Sequence, residues 1–526
     1  LRITRKNYEP SLPVSEKSNP LTRGIDRASA SSIVRMLQAC DAQMFQEETG
    51  AAYQRLLSEQ VVTTLMEVAK KVELILKDPE DSLVILSGCG TSGRLAFLIT
   101  SRFNRALRQL NHSPVYSYVI AGGDRSLLSS QEAPEDDPKL GMLSLKKVCE
   151  GKKRVLFIGI SCGLSAPFVA GQLEFCLQNP EVYTPVLVGF NPAHQARDEP
   201  LPGCTFTFRS VVQRMEELAK SQQAFLINPA VGPEAISGSS RMKGGSTTKI
   251  LLEVVLSAAH AATFSHAPTY LCVLDYEDVR GFVSGGYREL SNKEGPLTSL
   301  GAEFCIAHED FLHLVLPCLT DKDTVLLVYT HSDDVSKVVD LARRVREKTS
   351  NLHAVYHQAD GDTSRFADKW TEGASEWLNP KRIIPFLLKS IASLSQQWEL
   401  STKLVLNAVS TGAHVLKGKI YQNYMIDVQV TNSKLYRRAT RLLQKLSSQP
   451  ESQCEEALLK AIYQVDELTL DITSSDVITH TCTAATRTKV VPLALVCLLT
   501  GCSLDEAESR LERQPIVREA VEALLS

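Results

Sequence analysis

The feature of this sequence that most constrains its fold is a short all-apolar run at residues 83–86, which ends in a glycine-rich turn and leads into a helical stretch. Runs of the same kind recur at 115–120, 155–160 and 186–188, with helical periodicity between them. Strands that are apolar on both faces have to be covered by helices on both faces. The sequence therefore predicts an α/β fold built on a doubly wound parallel sheet.

The remainder of the chain predicts a second, shorter α/β unit and a helical C-terminal region. Helical periodicity predicts two helices within 31–76, and another at 251–263 that closes the first unit. Strand-like runs follow at 270–274, 324–329 and 352–356, and a predicted helix at 335–348 lies between the last two. Helical periodicity dominates from about 385 to 526. The predicted units are an N-terminal segment, a first α/β domain, a second α/β domain and an all-helical cap, at 1–40, 41–262, 263–400 and 401–526.

Charge and cysteine content exclude several classes of partner. The 57 basic and 60 acidic side chains give a formal net charge of -3, which offers no general attraction to nucleic acid or to an anionic membrane surface. Thirteen scattered cysteines indicate reduced thiols rather than a disulfide framework. The longest apolar stretches, such as 491–499, reach about half of the roughly 20 residues that a membrane span needs. We therefore expect a soluble intracellular protein.

The first glycine-rich turn joins a predicted buried strand directly to a helix. Gly88, Gly90 and Gly93 match a dinucleotide-binding pattern, but the acidic residue expected about 20 positions later is missing. Thr91 and Ser92 instead bring two hydroxyl groups to the N-terminus of a helix, a combination that suits a small phosphate monoester. A simple strand-to-helix turn with a hydroxyl N-cap is the alternative.

Two later stretches resemble the first turn. The strand at 155–160 ends in a turn that contains Ser161, Gly163 and Ser165, and a helix follows. A third stretch, 237–248, is rich in Ser and Gly, carries Arg241 and opens another helix. Ligands of open α/β sheets bind beyond the carboxyl ends of the strands, so the first two turns can converge on one anion. For the third stretch a flexible solvated loop remains the alternative.

In this order, the motifs SGCGTSGR, ISCGLSAP and SGSSRMKGG resemble the sugar-phosphate loops of the sugar isomerase (SIS) superfamily. More narrowly, they are similar to the N-acetylmuramic acid 6-phosphate etherase branch and to its animal relatives, the glucokinase regulatory proteins. EKSNP near the start and NSKL in the predicted cap extend the resemblance over nearly the whole chain. It implies two tandem SIS domains followed by a helical cap.

The resemblance also implies which residues bind a hexose phosphate. Glu135 would face the sugar hydroxyls, although a solvated acidic loop is the alternative reading of its surroundings. Lys419 would reach the same site from the cap. The loop residues that would hold the phosphate are Gly90, Thr91, Ser92, Ser161, Gly163, Ser165 and Arg241.

Two departures from the etherase pattern bear on function. The etherases use two carboxylates for proton transfer, and this sequence has Arg102 where the second one is expected. A guanidinium is permanently charged and cannot perform that step. The segment after Ala262 is also shorter than the resemblance implies. We therefore expect a retained sugar-phosphate site without the acid–base pair.

The expected function is that of a non-catalytic regulator, without a cofactor or a metal. The resemblance implies that the chain inhibits glucokinase, that fructose 6-phosphate promotes the inhibition and fructose 1-phosphate relieves it, and that the protein occurs in cytoplasm and nucleus. The alternatives are an active etherase or sugar-phosphate isomerase, and a sugar-phosphate sensor with a different protein partner.

Overall fold

The structure is a computed structural model that describes residues 12–45, 54–127, 131, 133–201, 203–264, 311–330, 335–357 and 394–525. The chain forms two compact units. The described residues of the first unit fall within 1–107, 112–263 and 404–526, and those of the second within 108–111 and 264–403.

The first α/β domain is a five-stranded parallel sheet with helices between its strands. Its strand order is β2-β1-β3-β4-β5, the doubly wound order in which the direction of winding reverses between β1 and β3. The elements are α1 (Ala30–Ala42), α2 (Glu59–Lys77), β1 (Ser82–Gly88), α3 (Gly90–Gln109), β2 (Tyr116–Ile120), α4 (Pro138–Val148), β3 (Arg154–Ile160), α5 (Pro167–Gln178), β4 (Tyr183–Val188), α6 (Phe208–Ala219), β5 (Phe225–Ile227) and α7 (Lys243–Thr263).

Side chains of the strands and of the helices that cover them form the core of this domain. Ile85 and Phe157 belong to one buried cluster with Phe168 of α5 and Phe208 of α6. All seven residues of β1 are buried, as the predicted all-apolar run requires. The helix α2 packs along α7 and contacts β1, β3 and β5. The prediction of a parallel sheet covered by helices is confirmed.

Two features of this domain differ from the prediction. β5 is not predicted from the sequence, because its three residues are too few to produce a recognisable strand pattern. The closing helix α7 begins at Lys243 rather than at residue 251. Its first turns contain Gly244, Gly245 and Ser246, which favour helix weakly, so burial rather than helix propensity stabilises them.

The second unit contains a parallel pair of strands with a helix between them. β6 (Val325–Thr330) pairs with β7 (Leu352–His357), and α8 (Val335–Arg346) connects them. These elements agree with the predicted strands and helix. The strand predicted at 270–274 lies outside the described residues.

The C-terminal region is mainly helical, as predicted, with one small hairpin that the sequence analysis missed. Its large buried cluster includes Leu443, Leu458 and the apolar helix at 490–500. Strands of two residues carry too little pattern to be predicted. The elements are α9 (Leu394–Leu416), β8 (Ile420–Tyr421), β9 (Tyr424–Met425), α10 (Ser433–Ser447), α11 (Glu451–Tyr463), α12 (Leu470–Ser474), α13 (Val477–Ala484), α14 (Val490–Thr500), α15 (Leu504–Arg513) and α16 (Val517–Leu525).

Three further observations concern the described residues alone. Every cysteine among them is a free thiol. None of their helices is by itself long and apolar enough to cross a bilayer, and α14 and α15, which meet at 112°, reach that length and composition only as a pair. Nowhere in this part of the chain are three or more His, Cys, Asp or Glu side chains grouped to hold a metal ion.

The helices α4 and α5 approach each other through two glycines. A Cβ atom at Gly171 would lie 2.0 Å from the carbonyl oxygen of Pro138, and one at Gly141 would lie 2.1 Å from that of Phe168. Both contacts are with backbone, which cannot turn aside as a side chain can. The close packing of these helices therefore requires glycine at both positions.

We expect Gly171→Ala to lower the free energy of unfolding by roughly 1–3 kcal/mol, because the added methyl group forces the two helix backbones apart. Urea unfolding followed by circular dichroism measures the change. Gly24→Ala is the matched control, since nothing lies within 4 Å of a Cβ at Gly24, and we expect a change within about 0.5 kcal/mol there. Equal effects of the two substitutions would contradict this account.

Candidate functional site

The first turn of the candidate site lies between β1 and α3. Gly90 has a φ of +50°, which favours glycine, and α3 begins there. A Cβ atom at Gly93 would lie 2.4 Å from the Ile120 side chain and 2.7 Å from the carbonyl oxygen of Gly88. The absence of a side chain at Gly93 thus lets α3 start directly against the sheet. Thr91 and Ser92 occupy the first helical turn, where the helix dipole is positive.

The second turn lies between β3 and α5. The hydroxyl oxygen of Ser161 accepts hydrogen bonds from the backbone N–H groups of Ser165 (3.1 Å) and Ala166 (3.3 Å). Ser161 is buried, and its hydroxyl therefore sets the shape of the turn from within. A Cβ atom at Gly163 would lie 3.2 Å from the Ser165 hydroxyl oxygen. Ser161, Gly163 and Ser165 thus form one compact turn.

The two turns and the start of α7 meet around Cys162. The Ser92 hydroxyl lies 3.6 Å from the Cys162 sulfur, which also lies 3.9 Å from the Thr248 hydroxyl. A Cβ atom at Gly244 would be 3.3 Å from the same sulfur. Burial raises the pKa of the Cys162 thiol, so this thiol is neutral at pH 7. The predicted convergence of the first two turns on one place is therefore present in the structure.

The third loop contributes differently from the other two. The Glu234 carboxylate accepts hydrogen bonds from the N–H groups of Lys243 (2.8 Å) and Gly244 (2.9 Å), so the N-terminus of α7 already has an anion. The Arg241 guanidinium contacts the hydroxyl of Ser239, on its own loop, and that of Thr411 in α9. Burial lowers the pKa of Arg241. Its predicted contact with a phosphate stays a prediction.

Glu135 forms the side of the site that faces the C-terminal region. Its carboxylate is buried, and one oxygen lies 3.5 Å from the position that a Cβ atom would take at Gly90. The Lys434 ammonium, on α10, lies 3.1 Å from the other oxygen. The charge of Glu135 raises the pKa of Lys434. Glu135 is therefore a buried partner of a cap residue and not part of a solvated loop.

The neighbouring residues extend this contact. The Asp136 carboxylate accepts hydrogen bonds from the backbone N–H (2.9 Å) and the hydroxyl (2.8 Å) of Ser433, at the N-terminus of α10. Further along α10, Arg437 pairs with Glu199. One end of this cap helix is thus fixed to the first α/β domain by charged contacts beside the first turn.

The lysine that the structure brings from the cap to this site is Lys434, whereas sequence reasoning pointed to Lys419. The Lys419 ammonium pairs with Asp427 at 2.8 Å and is 42% exposed. Burial and the charges of Lys419 and Arg241 lower the pKa of His414, on α9. The motif NSKL in the sequence, which contains Lys434, was the available signal for this second lysine, and the predicted role of Lys419 in binding stays a prediction.

Arg102 lies away from the two turns. It follows Ser92 by ten residues on α3, or about 15 Å at the helical rise of 1.5 Å per residue. Its guanidinium is buried, 3.6 Å from the Glu253 carboxylate of α7. The charge of Arg102 on α3 is therefore paired with that of Glu253 on α7. The arrangement around the turns offers hydroxyl groups, a helix N-terminus and the Glu135 carboxylate, which together suit binding of a sugar phosphate.

A parallel sheet of this order, with hydroxyl-bearing turns at its switch point and a helical region held over them, defines a capped protein of the sugar isomerase type. Three family descriptions match the chain: the glucokinase regulatory protein N-terminal SIS domain at 67–177, its second SIS domain at 264–417, and the C-terminal lid domain of glucokinase regulatory protein at 422–521.

Whole-sequence comparisons agree with these matches. The chain is 44% identical to the glucokinase regulatory protein of Xenopus laevis, over 99% of this chain and 94% of that protein, and 42% identical to the human protein, over 99% and 93%. An N-acetylmuramic acid 6-phosphate etherase 2 of Vibrio cholerae is 30% identical over 47% of this chain and 67% of its own length. The chain belongs to the glucokinase regulatory protein family.

This membership confirms the predicted class, a regulatory protein with two SIS domains and a helical cap rather than an enzyme of the etherase branch. The alignment with the frog protein extends over 584 positions, more than the 526 residues of this chain. The relative therefore has residues inside the aligned region that this chain lacks. The predicted shortening of the segment after Ala262 stays a prediction. A solved tagatose-6-phosphate ketose/aldose isomerase of Escherichia coli, with a TM-score of 0.37 and 13% identity over 74% of this chain and 95% of its own, is too distant to support further conclusions.

The Glu135–Lys434 contact predicts an energetic coupling between the first SIS domain and the cap. In a double-mutant cycle with Glu135→Gln and Lys434→Met, we expect the double variant to be less destabilised than the two single effects added together. The difference should be about 0.5–3 kcal/mol, because either single change removes the same contact. Chemical unfolding of the four proteins measures it.

The control for this cycle is the pair formed by Glu67 and Lys70 on α2, whose lysine is 61% exposed. We expect its coupling energy to be about 0.2–0.5 kcal/mol, as for other exposed helical pairs. Effects that simply add at Glu135 and Lys434 would show that the contact does not link the two domains.

Proposed function

We propose that this chain regulates glucokinase and that fructose phosphates bound at the turns of β1 and β3 control that activity. The observation that carries the proposal is the convergence of Ser92, the turn at Ser161 and the Glu135–Lys434 pair on one place. Hydroxyl donors and a helix N-terminus suit a phosphate, and a buried carboxylate suits sugar hydroxyls. The kinase is proposed as the partner because the frog and human relatives are glucokinase regulatory proteins.

The same geometry suggests how occupancy would reach the cap. A sugar hydroxyl that donates a hydrogen bond to Glu135 competes with Lys434 for the same carboxylate. Two ligands can share one phosphate site and act in opposite directions only if each favours a different conformation. We infer that fructose 6-phosphate and fructose 1-phosphate differ in whether they preserve or disrupt the Glu135–Lys434 contact. They would therefore favour different positions of α10.

We expect the chain to inhibit glucokinase more strongly with fructose 6-phosphate than with fructose 1-phosphate. A coupling of about 1–3 kcal/mol corresponds to a difference of roughly 5- to 150-fold in the half-inhibiting concentration. A steady-state glucokinase assay, titrated with this protein at saturating concentrations of each sugar phosphate, measures that ratio. Equal inhibition with fructose 6-phosphate, with fructose 1-phosphate and without either would refute the proposal that fructose phosphates control the inhibition.

A second prediction concerns the phosphate subsite. Ser165→Asp places a carboxylate in the turn beside Ser161, where it would repel a bound phosphate by about 4 kcal/mol per unit charge at 4 Å and an effective dielectric constant of 20. We expect affinity for both fructose phosphates to fall by about a hundredfold or more. Calorimetry measures the binding. Ser221→Asp, on an exposed turn of the same domain, is the control and should bind normally.

The alternatives from the sequence analysis have direct tests. Release of lactate from N-acetylmuramic acid 6-phosphate above background would identify an active etherase, and interconversion of sugar phosphates would identify an isomerase. Co-precipitation with glucokinase, with and without fructose 6-phosphate, separates the proposed partner from a different protein. We also propose that the protein occurs in both cytoplasm and nucleus, which imaging of a fluorescent fusion tests.

A further inference from the structure

A buried polar cluster joins three parts of the chain that are far apart in sequence. Asn19 and Thr22 belong to the N-terminal segment and Asn423 to the cap hairpin between β8 and β9, and all three side chains are fully buried. We call these three residues the amide junction. The third part of the chain that this cluster joins is the loop 232–238, which precedes α7.

Asn423 forms hydrogen bonds in this junction through its amide nitrogen, its amide oxygen and its backbone carbonyl. Its amide nitrogen donates to the Asn19 carbonyl and to the Thr22 hydroxyl, both at 3.0 Å. Its amide oxygen accepts from the Ser18 hydroxyl at 2.9 Å. Its backbone carbonyl accepts from the N–H of Ser237 at 2.9 Å. One cap residue thus holds the N-terminal segment with its side chain and the loop before α7 with its backbone.

The N-terminal segment in turn holds the same loop. The Asn19 amide donates to the carbonyl of Pro233 (2.8 Å), and the Thr22 hydroxyl donates to that of Ala235 (2.6 Å). The residue between them is Glu234, whose carboxylate binds the N-terminus of α7. The junction therefore fixes the carbonyl groups of the two residues that flank Glu234.

A second contact joins the same three parts of the chain. Arg438, on α10, pairs with Glu16 at 2.6 Å, and the Ser237 hydroxyl donates to the Glu16 carbonyl at 2.7 Å. Gly238 has a φ of +72°, and a Cβ atom there would lie 2.7 Å from both charged groups. Burial raises the pKa of Glu16, but the charge and hydrogen bond of Arg438, with the charges of Arg441 and Lys434, together outweigh it, and the pKa is lowered. On α10 this arginine lies one turn after Lys434, which contacts Glu135.

We propose that the amide junction couples occupancy of the sugar-phosphate site to the position of the cap, with Asn423 as its central positioning residue. The inference rests on the proposed function, since it assigns the path by which the bound sugar phosphate acts. A buried amide or hydroxyl that loses its partner costs more than the bond itself contributes, so the members of the junction have to move together. Displacement of the loop before α7 therefore carries the N-terminal segment and the cap hairpin with it.

The amide junction is not required to hold the N-terminal segment in place. An apolar cluster binds the same three parts independently, with Ile25 and Ile33 of the segment packed among Ile236 and Met242 before α7 and Ile420 of the hairpin. Removal of one polar partner should therefore leave the segment in place while weakening its link to the loop. Because the apolar cluster would hold the segment in such a variant, the coupling can be tested by single substitutions in the intact chain.

Hydrogen exchange of the full chain, with and without fructose 6-phosphate, tests the coupling without glucokinase. In the parent protein we expect the ligand to slow exchange in the turns at 90–93 and 161–166, and also at the Ser237 amide and in the hairpin at 420–425. In Asn423→Ala we expect the slowing to persist in the two turns and to disappear from the hairpin. Tyr463→Phe is the control, because it removes a 2.9 Å hydrogen bond to His480 inside the cap and should keep the parent pattern.

A second pair of variants separates coupling from lost stability. Thr22→Ser keeps the hydroxyl that joins Asn423 to the loop, whereas Thr22→Val removes it with little change of shape. We expect the serine variant to retain the slowing in the hairpin and the valine variant to lose it, and we expect the ratio of glucokinase half-inhibiting concentrations for the two fructose phosphates to approach one in the valine variant only.

The outcomes distinguish this inference from the proposed function. Slowing in the hairpin that survives both Asn423→Ala and Thr22→Val would overturn the inference and leave the proposed function intact. Slowing confined to the two turns in the parent protein would do the same. No slowing anywhere in the parent protein would overturn the proposed function and the inference with it.

Discussion

The adjacency of β1 and β3 in the sheet is the constraint on which the whole site depends. Because the two strands are parallel neighbours, their carboxyl ends open at one edge, and the turns that follow them meet at Cys162. The glycines of the first turn let α3 begin against the sheet, and the hydroxyl of Ser161 shapes the second turn. The strand order places the two turns together, so that both can contact one ligand.

The contact of the cap with this site is polar, and that has a physical consequence. Buried apolar surface holds two domains together over a wide range of relative positions, whereas charged hydrogen bonds such as those of Glu135 and Asp136 with α10 are directional. A ligand that offers other partners to the same carboxylates can therefore shift the balance at a moderate energetic cost. An arrangement of this kind suits regulation better than rigid assembly does.

Local features of the site could be predicted from the sequence, and long-range ones could not. Thr91, Ser92, Ser161 and Ser165 each follow a strand within a few residues, so a strand pattern is enough to locate them. The contact between Glu135 and the cap joins residues 299 positions apart, and residue types alone do not show which lysine points inward. The start of α7 was predicted too late for a related reason, since burial stabilises a Gly- and Ser-rich turn that has weak helical propensity.

The carboxylate at the start of α7 has one more consequence. Glu234 supplies the negative charge that an open helix terminus would otherwise attract from a ligand, so the start of α7 repels a phosphate whereas the start of α3 attracts one. A phosphate group is therefore expected to bind at the first two turns and not at the start of α7.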